Sequence, residues 1–181
     1  MEPWLVIIDP QNIFTRPSSQ WYANFYPHSV PAIQRLADHF GERTIITRWI
    51  PPQERLGSWK EYFEKWTFAD QPADSPIFDL VPEAVGWGDR VIDLPTFGKW
   101  GVELEAVTGP TPTLILAGLA TDCCVISTAL AAADAGARIW VAPDACSGSN
   151  GINHEAALHL MRLYSPQIDL ANSEDLVKRF P

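Results

Sequence analysis

The chain has 181 residues, 46% of them hydrophobic and 19% charged, which is ample for one compact domain spanning 1–181 with a packed core. A formal net charge of −9 argues against nucleic acid or an anionic membrane as a partner, and for an enzyme that handles a small neutral or polar molecule. Cys123, Cys124 and Cys146 are odd in number, two are adjacent, and no secretory or membrane-spanning stretch precedes Trp4, so free thiols in a reducing cytoplasm are expected.

Trp4-Leu-Val-Ile-Ile8 is a continuous apolar run, as a central parallel strand requires, and it ends in Asp9-Pro-Gln-Asn-Ile-Phe14. Asp9 is thereby placed at a strand's carboxyl end, although Asp-Pro is by itself only a turn signal. Residues 15–29 are polar, aromatic and proline-punctuated, a loop able to reach over a site. Ser29 is the expected cap of a first helix that runs to Phe40, with Pro31 in its first turn and Ile33, Leu36, Ala37 and Phe40 on one face. His39 falls on the exposed side. Arg43–Arg48 reads as the second strand. The stretch Trp59–Phe68 is aromatic at mixed spacing, and 70–82 is proline-rich and acidic. Such irregular segments are lids or binding loops, or else their aromatics cover a subunit interface. Asp89–Asp93 reads as the third strand, followed by Leu94-Pro-Thr-Phe-Gly-Lys-Trp-Gly101.

The fourth strand, Thr113–Ala117, runs out at Gly118, and a helix begins near Thr121 or Asp122, either of which can cap it. Cys124 sits in the first turn, where unpaired amides and the helix dipole favour a thiolate over a thiol of ordinary pKa, about 8.5. Backbone N–H groups of the same turn can hold an oxyanion. The helix extends to about Ala135 and Gly136 stops it. A fifth strand, Ala137–Ala142, is followed by a loop at 143–150 and a helix over Asn153–Tyr164. A short sixth strand, Gln167–Ala171, precedes a C-terminal helix that Ser173 begins in a capping pattern. Strands alternating with helices predict a doubly wound three-layer α/β/α sandwich with a six-stranded, mainly parallel sheet. With strand order 3-2-1-4-5-6, strands one and four are neighbours where the winding reverses, and Asp9 and Cys124 converge there.

Ala120-Thr-Asp-Cys-Cys-Val125, with Thr128-Ala129 following, resembles the nucleophile signature of the isochorismatase-like cysteine hydrolases, and Asp9-x-Gln-x-x-Phe14 resembles their first motif. The resemblance implies Cys124 as nucleophile, Cys123 at a variable packing position and Asp9 as general base. It further implies a cis Leu119–Ala120 peptide and an oxyanion hole made by the Ala120 and Cys124 amides. The family pattern also places a lysine directly after the third strand. Leu94 stands there instead, and Lys99 is the nearest lysine. Either Lys99 swings in from the following turn, or Asp9 and Cys124 act as a dyad, or activity is lost.

The metal-dependent nicotinamidases of that family carry histidine ligands in and beyond a region that here, Arg48 to Trp66, contains none. His28, His39, His154 and His159 show no ligand spacing, so no metal and no cofactor are expected, and nicotinamide is disfavoured as substrate. His154 is expected to act as a cap or packing hydrogen bond. The activity implied by the resemblance is cleavage of an amide, carbamoyl or ureido C–N bond of a small molecule through a thioester. Metal-free vinyl-ether hydrolysis, or a silent homologue that binds or senses redox state through Cys123 and Cys124, are the alternatives. Gln11 and Phe14, which match the first motif, and Trp49, Phe97 and Trp100 are the candidate substrate contacts. Together with Trp21, Trp59 and Trp66 they point to a flat or apolar ligand face. By the same resemblance a homo-oligomer, dimer or tetramer, is expected.

Overall fold

Trp4–Ile8 (β1) lies in the middle of a sheet because every one of its side chains beyond Trp4 is apolar and both faces are covered. Leu5 and Ile7 point into one core layer, Val6 and Ile8 into the other, as the two-residue period of a strand dictates. The computed structural model describes residues 2–181. Among them, six strands form one sheet of order β3-β2-β1-β4-β5-β6: β2 is Thr44–Trp49, β3 Arg90–Leu94, β4 Thr113–Leu119, β5 Arg138–Ser147 and β6 Ile168–Leu170. Every pairing is parallel, so the sheet is wholly rather than mainly so.

One face is covered by the helices Tyr26–Phe40 and Ser173–Arg179. Residues of Val102–Thr108, Ile126–Asp134 and Gly151–Arg162 cover the other. With the short helix Asn12–Thr15 as α1 and Ser58–Lys65 as α3, these are α2, α7, α4, α5 and α6 respectively. A third cluster, centred on Trp49, Phe63 and Phe78, stands beside these two layers and is built mainly from aromatic residues.

Several boundaries differ from those expected of the sequence. Helix α2 begins at Tyr26, three residues before the expected cap, with Pro27 in its first turn and Pro31 inside it; the Ser29 hydroxyl donates to the Tyr26 carbonyl instead of capping. Strand β5 continues through 143–147, where a loop was expected. Its pairing with β4 jumps from Leu116↔Val141 to Gly118↔Cys146, and the bulge between takes up Pro143, whose missing N–H a regular ladder would not tolerate. Helix α7 has no side-chain cap from Asn172; Asp144, at the far end of β5, accepts from the Ser173 amide at 2.8 Å and from its hydroxyl at 2.6 Å. No helix among the described residues is long and apolar enough to cross a membrane.

The ends of β1 and β4 are brought very close. Ile8 pairs with Gly118, whose φ is +105°, and a Cβ there would lie 2.2 Å from the Ile8 carbonyl oxygen. Only glycine supplies both the left-handed backbone and the clearance. The segments that leave these two strands, beginning at Asp9 and Ala120, therefore share one crevice, at the point where the sheet's winding reverses.

Candidate active site

Asp9 is the first residue after β1. Its φ of +48° is uncommon for a residue with a side chain, though aspartate is among those that tolerate it. Thr47 on the adjacent strand secures it. The Asp9 amide donates to the Thr47 carbonyl at 3.2 Å, and the Thr47 hydroxyl donates to Asp9 Oδ1 at 2.7 Å. The other oxygen, Oδ2, lies 2.9 Å from Lys99 Nζ, and both side chains are wholly buried. That approach is an ion pair without hydrogen-bond alignment, so Oδ2 keeps acceptor capacity.

Lys99 arrives from the turn after β3, five residues beyond the buried Leu94 that ends the strand. Nζ also donates to the Thr96 carbonyl at 2.8 Å, which curls the turn back on itself. The Lys99 amide donates to Thr128 Oγ1 at 2.9 Å, and that hydroxyl donates to the Cys124 carbonyl at 2.7 Å. One threonine on α5 thus ties the lysine's loop to the cysteine's helix. A buried ammonium and carboxylate in contact are stable only when both are paired, which this arrangement provides.

Cys124 lies in a π-helical turn, Thr121–Val125, that leads into α5. Neither Thr121 nor Asp122 caps it: Ala120 occupies the cap position without a side-chain bond. Asp122 instead accepts from the Ser149 amide and hydroxyl, at 2.7 and 2.6 Å, and Thr121 Oγ1 is 2.9 Å from His154 Nδ1. The Leu119–Ala120 peptide is cis. The Cys123 and Val125 amides both donate to the Ala120 carbonyl, while the Cys124 amide between them does not. The sequence-based expectation of a ready thiolate is overturned. The neighbouring Cys123 thiol, burial and the Asp9 carboxylate all push the Cys124 thiol above its ordinary value, and Lys99 only partly offsets them. Cys123 moves the opposite way, lowered chiefly by its contact with Cys124.

A cavity of about 310 Å³ opens onto these groups, with Cys123, Cys124, Ala120, Asp122 and Ser149 on one side. The rest of its wall is mostly aromatic, formed by Phe14, Trp21, Trp49, Tyr62, Trp66 and Phe97 together with Tyr22, Gln20 and Ala23. Trp21 is the hub, with ring centroids of Trp49, Tyr62, Trp66 and Phe68 between 4.9 and 5.9 Å away.

Of the residues singled out from sequence, the structure thus brings Asp9, Lys99 and Cys124 to the crevice and places Phe14, Trp49 and Phe97 on the cavity wall. Gln11 and Trp100 do not line it. The Gln11 side chain is fully buried and satisfied: Nε2 donates to the carbonyls of Trp49 and Phe78 at 3.0 and 2.7 Å, and Oε1 accepts from the Trp49 amide at 2.7 Å. Trp100 packs on the α4–α6 side of the sheet. Cys123 packs against the core as expected, and it also lines the cavity. Thr47 was not recognised, and Thr128 and Tyr62, although they stand in the nucleophile signature and in the aromatic stretch Trp59–Phe68, were given no role of their own. Their only signal is placement: Thr47 sits on the strand beside β1, and Thr128 lies four residues, one helical turn, after Cys124.

The metal of the nicotinamidase branch finds no fit here. Among the described residues no three of His, Cys, Asp and Glu are grouped to hold an ion, and His39 and His154 are already engaged with Phe180 O and Thr121.

Comparison with known proteins agrees with this layout. Residues 3–172 match the isochorismatase domain family. The chain belongs to that family. Among solved structures it is similar to an isochorismatase family protein from Desulfovibrio vulgaris, at 21% identity and a TM-score of 0.82, covering 98% of this chain and 97% of that one. It is also similar to a cysteine hydrolase from Pseudomonas syringae, at 14% identity and a TM-score of 0.81, covering 99% and 92%. A third is N-carbamoylsarcosine amidase from Thermoplasma acidophilum, at 19% identity and a TM-score of 0.75, covering 96% and 98%. At such identities the likeness is one of fold, and the isochorismatase-like hydrolases share it across the whole sheet.

Proposed function

We propose that the protein is a cysteine hydrolase that cleaves the C–N bond of a small amide, carbamoyl or ureido compound through a thioester, without metal or cofactor. The observation that carries this reading is the buried Asp9–Lys99 pair at the strand end beside the Cys124 turn, with one free acceptor on Asp9.

Because Cys124 rests as a thiol, a base is needed, and Asp9 Oδ2 is the acceptor that remains. The thiol proton passes to Asp9 as sulfur attacks the carbonyl carbon, and the carbonyl electron pair moves to oxygen. The Ala120 and Cys124 amides donate to that oxyanion. Collapse expels the amine, which takes the proton from Asp9. Water then attacks the thioester, giving its proton to Asp9, and the sulfur leaves and recovers that proton. Lys99 faces the carboxylate throughout and offsets the negative charge that develops beside it. Lys99 also supports activity over silence, since the silent alternative rested on the leucine at 94.

The test is ammonia release from a panel of small amides, ureido acids and carbamoyl compounds, comparing wild type with Cys124→Ala. Turnover is expected to fall at least about 10⁴-fold in the variant, and intact-mass analysis of wild type should reveal an acyl adduct removed by hydroxylamine. Undiminished turnover in Cys124→Ala would reject the scheme.

A further inference from the structure

The cavity wall has a pronounced sign of charge. Seven of its side chains carry aromatic rings, and the single carboxylate on it is that of Asp122. No lysine or arginine lines it. Lys99 is fully buried and already engaged by Asp9 and Thr96, so it offers no charge to the acyl end of a ligand. A carboxylate-bearing substrate would have to give up its hydration with no cation to receive it, beside Asp122 and near Asp9. The faces of indole and phenol rings, by contrast, attract cations. The same aromatic cluster demonstrates this with the protein's own side chains: Lys65 Nζ lies 5.1 Å from the Trp66 ring centroid and the Arg55 guanidinium 4.3 Å from that of Phe63, and neither cation lines the cavity. A net charge of −9 adds a field that draws cations in.

We infer that the acyl part of the substrate carries a compact organic cation, a quaternary ammonium or pyridinium group seated among Trp21, Tyr62 and Trp66 with Asp122 as counter-charge, and carries no carboxylate. The inference rests on the hydrolase reading for its reaction but not for its binding. Hydrolysis of such an amide yields ammonia and a zwitterion whose new carboxylate forms beside Asp9. No lysine or arginine lines the cavity to retain that group, which favours release.

The test uses the full chain with Cys124→Ala and three amides of matched size: betaine amide, its uncharged isostere tert-butylacetamide, and succinamate. Calorimetry is expected to show betaine amide bound at least about tenfold more tightly than the isostere, succinamate not bound, and the preference reduced by Asp122→Asn and by Trp66→Leu. Equal or tighter binding of the isostere, binding of succinamate, or no binding of betaine amide at millimolar concentration overturns the inference. Ammonia release by wild type separates the two claims. A cation preference in binding without turnover of any amide sinks the hydrolase reading and leaves the cation site standing. Turnover of tert-butylacetamide without a cation preference does the reverse.

Discussion

The buried polar cluster that forms the floor beneath the cavity, of which Cys124 alone lines it, and the cavity's wall are built on different principles. Asp9, Lys99 and Cys124 come from the ends of three strands far apart in sequence, are almost completely buried, and are held by bonds of 2.7–2.9 Å to Thr47, Thr96 and Thr128. The wall comes largely from two local aromatic segments, around α1 and α3, whose rings meet in stacked, tilted and edge-on contacts with centroids mostly 5–6 Å apart. Hydrogen bonds allow tenths of an ångström, whereas ring contacts tolerate wide variation in angle. In the proposed reaction, chemistry is therefore set by topology, and selectivity by a surface that can be exchanged ring by ring.

The largest effect should come from breaking the floor. Asp9→Asn removes the proposed base and leaves a buried ammonium without its carboxylate, so turnover is expected to drop about 10⁴-fold and unfolding free energy by about 3–5 kcal/mol, measured by ammonia release and urea denaturation. Gly118→Ala should come next, costing more than about 4 kcal/mol, because its Cβ meets the Ile8 backbone at 2.2 Å; a soluble, fully active variant would show that the two strand ends can separate. Gln11→Ala strands three buried backbone groups and should cost about 3 kcal/mol, while weakening substrate binding through the displaced Trp49.

Smaller effects should sharpen the contrast. Trp66→Ala is expected to raise KM about tenfold with kcat within about twofold, and a kcat loss matching the KM rise would show that wall and floor are not separable. The gentlest probe is alkaline stability. Burial pushes Cys146 and Tyr62 up from their ordinary values, Cys123 and Cys124 adding to the shift of Tyr62. A raised folded value means the stabilisation is complete below the ordinary value and is lost as pH rises beyond it. Melting temperature should fall by a few degrees between roughly pH 8 and pH 10.5. Cys146→Ala should flatten that slope more than Tyr62→Phe, because Cys146 is sealed in the core and Tyr62 is partly exposed.

The fold was legible because apolar strand runs such as Trp4–Ile8 and Thr113–Leu119 carry their burial in composition, and parallel order follows from the alternation with helices. Asp9 and Cys124 were legible because each directly follows such a run. Gln11 was misassigned because a glutamine beside a site reads the same whether it faces a ligand or bonds the backbone of Trp49. The wrong charge state was expected for Cys124 because a helix start speaks for the thiolate, whereas burial and Asp9, which outweigh it, appear only in three dimensions. Thr128 stands in the nucleophile signature, but its role was not legible there, since it depends on a loop 29 residues earlier.

That hydroxyl explains how the lysine can stand five residues beyond the strand. Its position in space is dictated by an oxygen on the helix that follows Cys124, and the count of residues leading up to it is free to change. Insertions or deletions between Leu94 and Lys99 are then tolerable in descent so long as position 128 keeps a hydroxyl, and threonine and serine are the exchanges along which homologous chains can diverge without losing the pairing.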